Sequence, residues 1–257
     1  MARNPVVLIT GASKGLGLAA TKILLAEFHA NVIALSRTET PELADLRNAH
    51  QNALIVVKGD VTDETVVSEA VTTALKAFQH IDSLILNAGI LDPLGRVDAP
   101  DIPLAAWKSH FDVNFFSLIT ALRATLLSLR GSDLGGRVVF VSSGSATKGT
   151  PSMGPYNASK AAMNSLCRTL AEEEPSVTCV AMRPGTVDTQ MQTQLRAGAN
   201  TLEDKVHKMF IGLHEDKKLI KPEQSGYVIA ALAVKAPSSM SGKFVSYDAE
   251  ECKDFRK

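Results

Sequence analysis

The chain has 257 residues, of which 45% are hydrophobic and 21% are charged, and its 27 basic residues balance its 27 acidic residues. This length suits one large α/β domain or two small ones, and the zero net charge argues against electrostatic recruitment of nucleic acid or of an anionic membrane. Because no apolar run approaches the ~18 residues of a membrane span, we predict a chain that does not enter a membrane.

Six short, continuously apolar runs predict strands that are buried on both faces, as in a parallel sheet. In chain order they are Val6–Thr10, Val32–Ser36, Leu54–Lys58, Ser83–Asn87, Arg137–Ser142 and Thr178–Met182. Stretches of helical character lie between them, at 17–28, 65–78, 106–129 and 160–173. This alternation predicts a doubly wound α/β sheet with helices on both faces, in a single domain that spans residues 1–257.

The cysteines and histidines carry no metal signature. Cys167, Cys179 and Cys252 are scattered and form no CxxC pair, so we expect reduced thiols in a cytoplasmic protein, two of them in the core. The six histidines show no metal-ligand spacing, and we interpret all of them as structural or surface residues.

A glycine-rich loop, TGASKGLG at Thr10–Gly17, follows the first predicted strand and opens the first helix. Gly11 permits a tight turn, Gly15 lets the backbone approach a phosphate, and Gly17 lets the helix pack closely on the strand. The free N–H groups at the start of the helix would bind the anion. A dinucleotide site is therefore the favoured interpretation, and a glycine-rich turn without a ligand is the alternative.

The end of the second strand indicates which dinucleotide fits. Enzymes that use NAD carry an acidic residue about 20 residues after the glycine loop, where it binds the ribose 2′-hydroxyl. Here Ser36 occupies that position, Arg37 follows it, and Lys14 can reach the same region. Two cations without a carboxylate favour the 2′-phosphate of NADP(H), unless both are ordinary surface charges.

Tyr156 and Lys160 lie four residues apart in GPYNASK, so they share one face of a helix. In isolation such a pair is usually an exposed helix face. A cation ~4 Å from the phenol, at an effective dielectric of ~20, is worth up to ~4 kcal/mol, or nearly three pKa units. Lys160 is therefore expected to lower the pKa of Tyr156 and to prepare it for acid–base chemistry.

Along nearly its whole length the chain resembles the classical short-chain dehydrogenase/reductase family. The resemblance implies a Rossmann fold with a mostly parallel, seven-stranded sheet. It rests on an ordered set of motifs: TGASKGLG, the NAG of Asn87–Gly89, Asn114 in DVNFFS, Ser143 lying 13 residues before Tyr156, the YNASK signature, and RPGTVDT at Arg183–Thr189.

The resemblance implies a role for each matching residue. Tyr156 would protonate the carbonyl oxygen, Ser143 would stabilise that oxygen, Lys160 would also hold the nicotinamide ribose, and Asn114 would anchor a water chain. Implied cofactor contacts are Gly11, Ser13, Lys14, Gly15, Leu16, Gly17, Ser36, Arg37, Asp60, Val61, Asn87, Ala88, Gly89, Tyr156, Lys160, Pro184, Gly185, Val187 and Thr189. Implied substrate contacts are Ser143, Ser145, Tyr156, Val187, Met191 and Leu195, with a mobile lid over 187–220.

Within the family the chain resembles the benzil-reductase-like and sepiapterin-reductase-like branch. Sepiapterin reductases carry a pterin-anchoring Asp near the C-terminus, where Ser246 stands here, although Asp248 lies two residues on. We therefore expect an NADP-dependent carbonyl reductase that acts on a vicinal diketone or aromatic ketone, needs no metal and forms a homodimer or homotetramer. A pterin reductase and a non-catalytic NADPH-binding regulator are the alternatives.

Overall fold

One sheet of seven parallel strands forms the centre of the computed structural model, which describes residues 3–257. Its spatial order is β3-β2-β1-β4-β5-β6-β7. The strands are β1 Val6–Thr10, β2 Asn31–Ser36, β3 Leu54–Lys58, β4 Ser83–Leu86, β5 Gly136–Val141, β6 Val177–Arg183 and β7 Phe244–Ser246. The predicted doubly wound fold is confirmed, and the direction of winding reverses between β1 and β4, where such sheets bind ligands.

Helices cover both faces of this sheet. They are α1 Gly15–Phe28, α2 Pro41–Ala49, α3 Glu64–Phe78, α4 Leu104–Phe111, α5 Ser117–Arg130, α6 Gly154–Glu173, α7 Gln190–Ala197, α8 Asp204–Glu215 and α9 Pro222–Lys235. Neighbouring side chains of β1 point to opposite faces of the sheet. Val7 and Ile9 therefore belong to one buried apolar cluster and Leu8 belongs to the other. Burial on both faces explains why the strands are apolar throughout rather than alternating.

The predicted helix at 106–129 is interrupted by a π-helical turn at Asp112–Phe116, which joins α4 to α5. The continuous run Leu104–Arg130 has 27 residues and a mean hydropathy of 1.2 over its best window, so by length and composition it could span a membrane. The sequence prediction had found no such run. A single helix of this kind is weak evidence for a membrane span, and this one packs on β4 and β5, with 39% of its most apolar stretch buried.

All three cysteines are buried as free thiols, one more than the two that the sequence argument placed in the core. Burial raises the pKa of Cys167 to about 12 and that of Cys252 to about 11, so neither thiol is a nucleophile at neutral pH. Within residues 3–257 no three His, Cys, Asp or Glu side chains are grouped closely enough to hold a metal ion.

The segment 187–220 contains α7 and α8 and leaves the sheet after β6. Its two ends meet in an isolated parallel bridge between Val187 and Ile220. Two backbone hydrogen bonds close this bridge, from Ile220 N to Thr186 O and from Asp188 N to Ile220 O, both 2.9 Å long. The segment is thus a loop with a closed base that lies over the carboxyl ends of the strands.

Candidate active site

A cavity of about 910 Å³ opens at the carboxyl ends of the strands, at the point where the direction of winding reverses. Nearly every residue that the sequence analysis assigned to the cofactor or substrate lines this cavity. The exception is Gly17, which lies buried behind the cavity wall, as does the catalytic candidate Asn114. Positions far apart in sequence therefore converge on one site, since all follow the ends of parallel strands.

The glycine loop forms one end of the cavity. Gly11 and Gly15 have positive φ angles of 69° and 54°, so both adopt a conformation that favours glycine. A Cβ atom on Gly17 would lie 2.2 Å from the carbonyl oxygen of Gly11, which shows that α1 packs directly on the loop. Among residues 3–257 no side chain caps α1, and its first turn carries no acidic residue. Its free N–H groups thus suit a phosphate.

Ser36 and Arg37 lie beside this loop, at the end of β2. The Ser36 hydroxyl donates to Thr38 O at 3.0 Å, and Arg37 is exposed. Glu39, the acid nearest to Arg37 in sequence, is paired instead with Arg47 at 3.0 Å. The Arg37 guanidinium is therefore available to an anion in the cavity.

Lys14 and Asp60 also line this end of the cavity, and each already has a partner. Lys14 Nζ donates to the Gln190 side chain at the start of α7, so it links the glycine loop to the 187–220 segment. Asp60 accepts from Thr62 N at 2.9 Å and from the Thr62 hydroxyl at 2.8 Å. Gln190 takes one of the three N–H donors of Lys14, which leaves two for an anion in the cavity.

Ser143, Tyr156 and Lys160 come together at the opposite end of the cavity. Ser143 follows β5, its side chain accepts from Ser145 N at 3.1 Å, and its hydroxyl is near enough to the Tyr156 phenol to lower the pKa of that group. Lys160 Nζ lies 5.7 Å from the centroid of the Tyr156 ring and donates to Val141 O at 2.8 Å. A hydroxyl, a phenol and an amine thus share one small site, in which Tyr156 and Lys160 are buried.

Burial sets the protonation of this group. It raises the pKa of Tyr156 above its ordinary value, and the hydrogen bond from Ser143 only partly opposes this. Burial also lowers the pKa of Lys160 to about 8. The sequence argument expected Lys160 to lower the pKa of Tyr156. In the protein alone burial is the largest influence and the pKa is raised, because loss of hydration disfavours the charged phenolate.

Asn114 is fully buried in the π-helical turn, behind Gly89. Its side-chain amide pairs with the backbone of Ile90, accepting from Ile90 N at 2.8 Å and donating to Ile90 O at 2.9 Å. The same Nδ2 lies 2.8 Å from His110 Nε2. Asn114 therefore ties the long helix to the loop after β4, and it supports Gly89 and Ile90 of the cavity lining without lining the cavity itself.

The wall beside Tyr156 is apolar. Leu195 of the 187–220 segment packs with Tyr156 in a buried cluster that also contains Leu91, Met153 and Phe210. Val187 and Met191, which the sequence analysis assigned to the substrate, also line the cavity. Sequence reasoning missed Leu91, Met153 and Phe210, because each lies outside the family motifs and only the fold brings it to the site.

Ser246 and Asp248, which bear on pterin binding, are bonded to one another near the C-terminus. Neither belongs to the lining of the cavity. The Ser246 hydroxyl holds the pKa of the Asp248 carboxyl below its usual value, and this is the largest influence on that group. The Asp248 carboxylate thus accepts from the Ser246 hydroxyl and does not line the cavity.

A model of the short chain dehydrogenase family matches residues 5–200. The chain belongs to this family. It is 38% identical over 244 residues to an uncharacterised oxidoreductase of Schizosaccharomyces pombe, covering 94% of this chain and 96% of that one. It is 32% identical over 253 residues to a benzil reductase of Saccharomyces cerevisiae that forms (S)-benzoin, covering 95% and 96%.

The crystal structure of a short-chain dehydrogenase/reductase from S. cerevisiae is similar throughout, with a TM-score of 0.94, 35% identity, and coverage of 99% of this chain and 100% of that one. Members of the short-chain dehydrogenase family are oxidoreductases that use a nicotinamide cofactor. The glycine loop, the uncapped start of α1 and the size of the cavity all fit such a group.

Proposed function

We propose that this protein is an NADPH-dependent carbonyl reductase. The observation that carries the proposal is the buried group of Ser143, Tyr156 and Lys160, which opens into the same cavity as the glycine loop. A hydrogen-bonded phenol beside a buried amine is suited to giving a proton to an oxygen on which negative charge develops.

When bound, the reduced nicotinamide supplies a hydride to the carbonyl carbon. The Tyr156 phenol donates its proton to the carbonyl oxygen, and the Ser143 hydroxyl donates a hydrogen bond to the same oxygen. Lys160 Nζ, held at 2.8 Å from Val141 O, places a donor and a partial positive charge beside the phenol as it loses its proton. The apolar wall excludes water and strengthens these interactions.

The Tyr156→Phe variant tests this chemistry, because it removes only the phenolic oxygen. NADPH binding should persist, while turnover of a ketone should fall on the order of 10²-fold or more. NADPH oxidation followed at 340 nm measures the rate, and fluorescence titration measures binding. Ketone reduction by this variant at nearly the wild-type rate would refute the assigned proton donor.

Arg37 supports the preference for NADPH over NADH. It follows Ser36, which stands where an NAD enzyme carries an acid, and its guanidinium faces the cavity without a carboxylate partner in the described part of the chain. Arginine suits a phosphate because its planar fork can make two parallel hydrogen bonds. Lys14 is a second candidate for this role, because its contact with Gln190 leaves two N–H donors and the positive charge unpaired within residues 3–257.

We propose a vicinal diketone as the substrate, reduced at one carbonyl to a hydroxyketone. The apolar wall of Leu91, Met191 and Phe210 suits an aryl group, and methionine adapts to varied shapes. Gln192 also lines the cavity, and its Nε2 is buried with no partner in residues 3–257, while its Oε1 accepts from Arg196 at 3.2 Å. The second carbonyl of a diketone would supply the missing acceptor, since an unpaired buried donor is costly.

Kinetics on three carbonyl compounds would test this substrate class. Benzil and deoxybenzoin have the same aryl groups, but deoxybenzoin lacks the second carbonyl, so benzil should show the higher kcat/KM. In Gln192→Leu, benzil should lose on the order of tenfold and deoxybenzoin little, because only benzil offers Gln192 an acceptor. A kcat/KM for sepiapterin well above that for benzil would contradict the assignment and favour pterin reduction.

Compartment and assembly are also proposals. Three buried, unpaired thiols support a cytoplasmic location, where cysteines stay reduced. Phe116 and Leu127 are 53% and 81% exposed on the long helix, and such exposed apolar side chains support a homodimer or homotetramer that pairs this helix with its copy.

A further inference from the structure

His110 is fully buried in α4, next to the proposed catalytic group. It lies four residues before Asn114, and the two side chains share one helix face. Its ring centroid lies 6.3 Å from that of Tyr156, with an edge-on geometry of 80°. The chemistry described above does not use this imidazole, although it touches three elements of the site.

The two ring nitrogens of His110 face different partners. Nδ1 lies 2.7 Å from Asp92 O, a carbonyl that can only accept, so Nδ1 carries the proton. Nε2 lies 2.8 Å from Nδ2 of Asn114 and 3.1 Å from the Ser159 hydroxyl. Asn114 Nδ2 is a donor, because Asn114 Oδ1 accepts from Ile90 N at 2.8 Å. Nε2 must therefore accept, and the ring is the neutral Nδ1–H tautomer.

Burial supports the same conclusion, since it lowers the pKa of His110 and so favours the neutral ring. A proton on Nε2 would oppose the N–H of Asn114 and break the contact. The Ser159 hydroxyl, in the first turns of α6, has one proton and two acceptors within reach, His110 Nε2 at 3.1 Å and Tyr156 O at 3.0 Å, so that proton is shared between them. One imidazole thus connects the loop after β4, the π-helical turn and the helix that carries Tyr156 and Lys160.

We propose that His110 is a positioning residue that uses Nε2 to fix the amide of Asn114 and the hydroxyl of Ser159 relative to Tyr156. Without this acceptor, the second N–H of Asn114 would keep only the long, 3.4 Å contact to the Ser159 hydroxyl, and the amide could turn away from Ile90. Asn114 would then no longer hold its place behind Gly89 and Lys160. The inference rests on the proposed carbonyl reductase activity.

Three substitutions distinguish the role of Nε2 from that of Nδ1. His110→Gln places an acceptor near the Nε2 position, His110→Asn keeps a donor near the Nδ1 position, and His110→Leu removes both. We expect the single-turnover rate of NADPH oxidation by benzil to fall about tenfold in His110→Leu and His110→Asn, with KM for benzil within about twofold. His110→Gln should recover at least half of the wild-type rate.

Thermal unfolding of each variant shows whether the fold persists, and the comparison of Gln with Asn remains decisive if His110→Leu does not fold. Equal recovery by His110→Asn and His110→Gln would overturn the proposal, because the Asp92 contact alone would then account for the effect. Wild-type rates in His110→Leu would overturn it as well. Failure of the wild-type protein to reduce benzil or any other ketone would refute the reductase activity instead.

Discussion

Replacing Gly17 with alanine tests the packing of α1 against the glycine loop. Gly17 is buried, and the added Cβ would lie 2.2 Å from Gly11 O and 2.6 Å from Asn87 Nδ2. The first contact is with backbone, which cannot turn aside, so the helix and the loop must separate. Overpacking of this kind costs about 1–3 kcal/mol. Alanine returns about 0.5–1 kcal/mol through its helix propensity. Because the added Cβ would meet rigid backbone at 2.2 Å, we expect the overpacking cost near about 3 kcal/mol and a net loss of about 2 kcal/mol.

For a chain of this size, about 2 kcal/mol corresponds to a fall in Tm of about 4–8 °C. The matched control is Gly212→Ala in α8, where an added Cβ meets nothing within 4 Å. That variant should gain about 0.5–1 kcal/mol and melt slightly higher than the wild type. Differential scanning calorimetry measures both, and NADPH affinity should fall only in Gly17→Ala. A Gly17→Ala protein that melts at or above the wild-type temperature would refute the packing argument.

Two further predictions concern charge. Arg37→Asp should raise KM for NADPH on the order of tenfold and lower KM for NADH. The control Lys76→Asp changes an exposed residue outside the cavity and should alter neither KM. An unchanged preference between NADPH and NADH in Arg37→Asp would mean that Arg37 is a surface charge. Burial lowers the pKa of Lys160 from 10.5 to about 8, so between these values the unfolded chain binds more protons and the free energy of unfolding should rise with pH. The Lys160→Met variant should lack this rise. Urea denaturation at several pH values measures the free energy of unfolding of both proteins, and the same dependence on pH in both would contradict the prediction.

The strands and the motif residues could be predicted from sequence because their signals are local. Each predicted strand lies within a residue or two of the observed one, since burial on both faces requires a continuous apolar run. The glycine loop and the YNASK signature likewise specify backbone geometry and helix spacing at short range. These positions could be expected to converge on one cavity, because each follows the carboxyl end of a strand and those ends meet at one edge of a parallel sheet. The prediction of a single domain stays a prediction.

Other elements depend on contacts that no short window contains. α9 was not predicted, because it is buried against α1 and the sheet and shows no clear polar face. β7 has only three residues, and the resemblance rather than any pattern implied a seventh strand. The π-helical turn at Asp112–Phe116 has no composition signal, yet it places Asn114.

The histidines show the same limit. All six were expected to be structural or surface residues, and the spacing of His110 from Asn114 was the one available signal that they share a helix face. Its partners, Asp92 O and the Ser159 hydroxyl, come from distant parts of the chain. The raised pKa of Tyr156 could not be foreseen either, because the extent of its burial depends on residues such as Leu195 and Phe210 that fold over it.

The closed base of the 187–220 segment bears on how this scaffold can change during evolution. Because Val187 and Ile220 are already paired, what lies between them can lengthen, shorten or be exchanged without moving either end. Doubling the length of such a loop costs only about 0.6 kcal/mol in closure entropy. Transplanting the corresponding stretch from a relative should therefore transfer substrate preference, while the glycine loop and the Ser143–Tyr156–Lys160 group remain with the host.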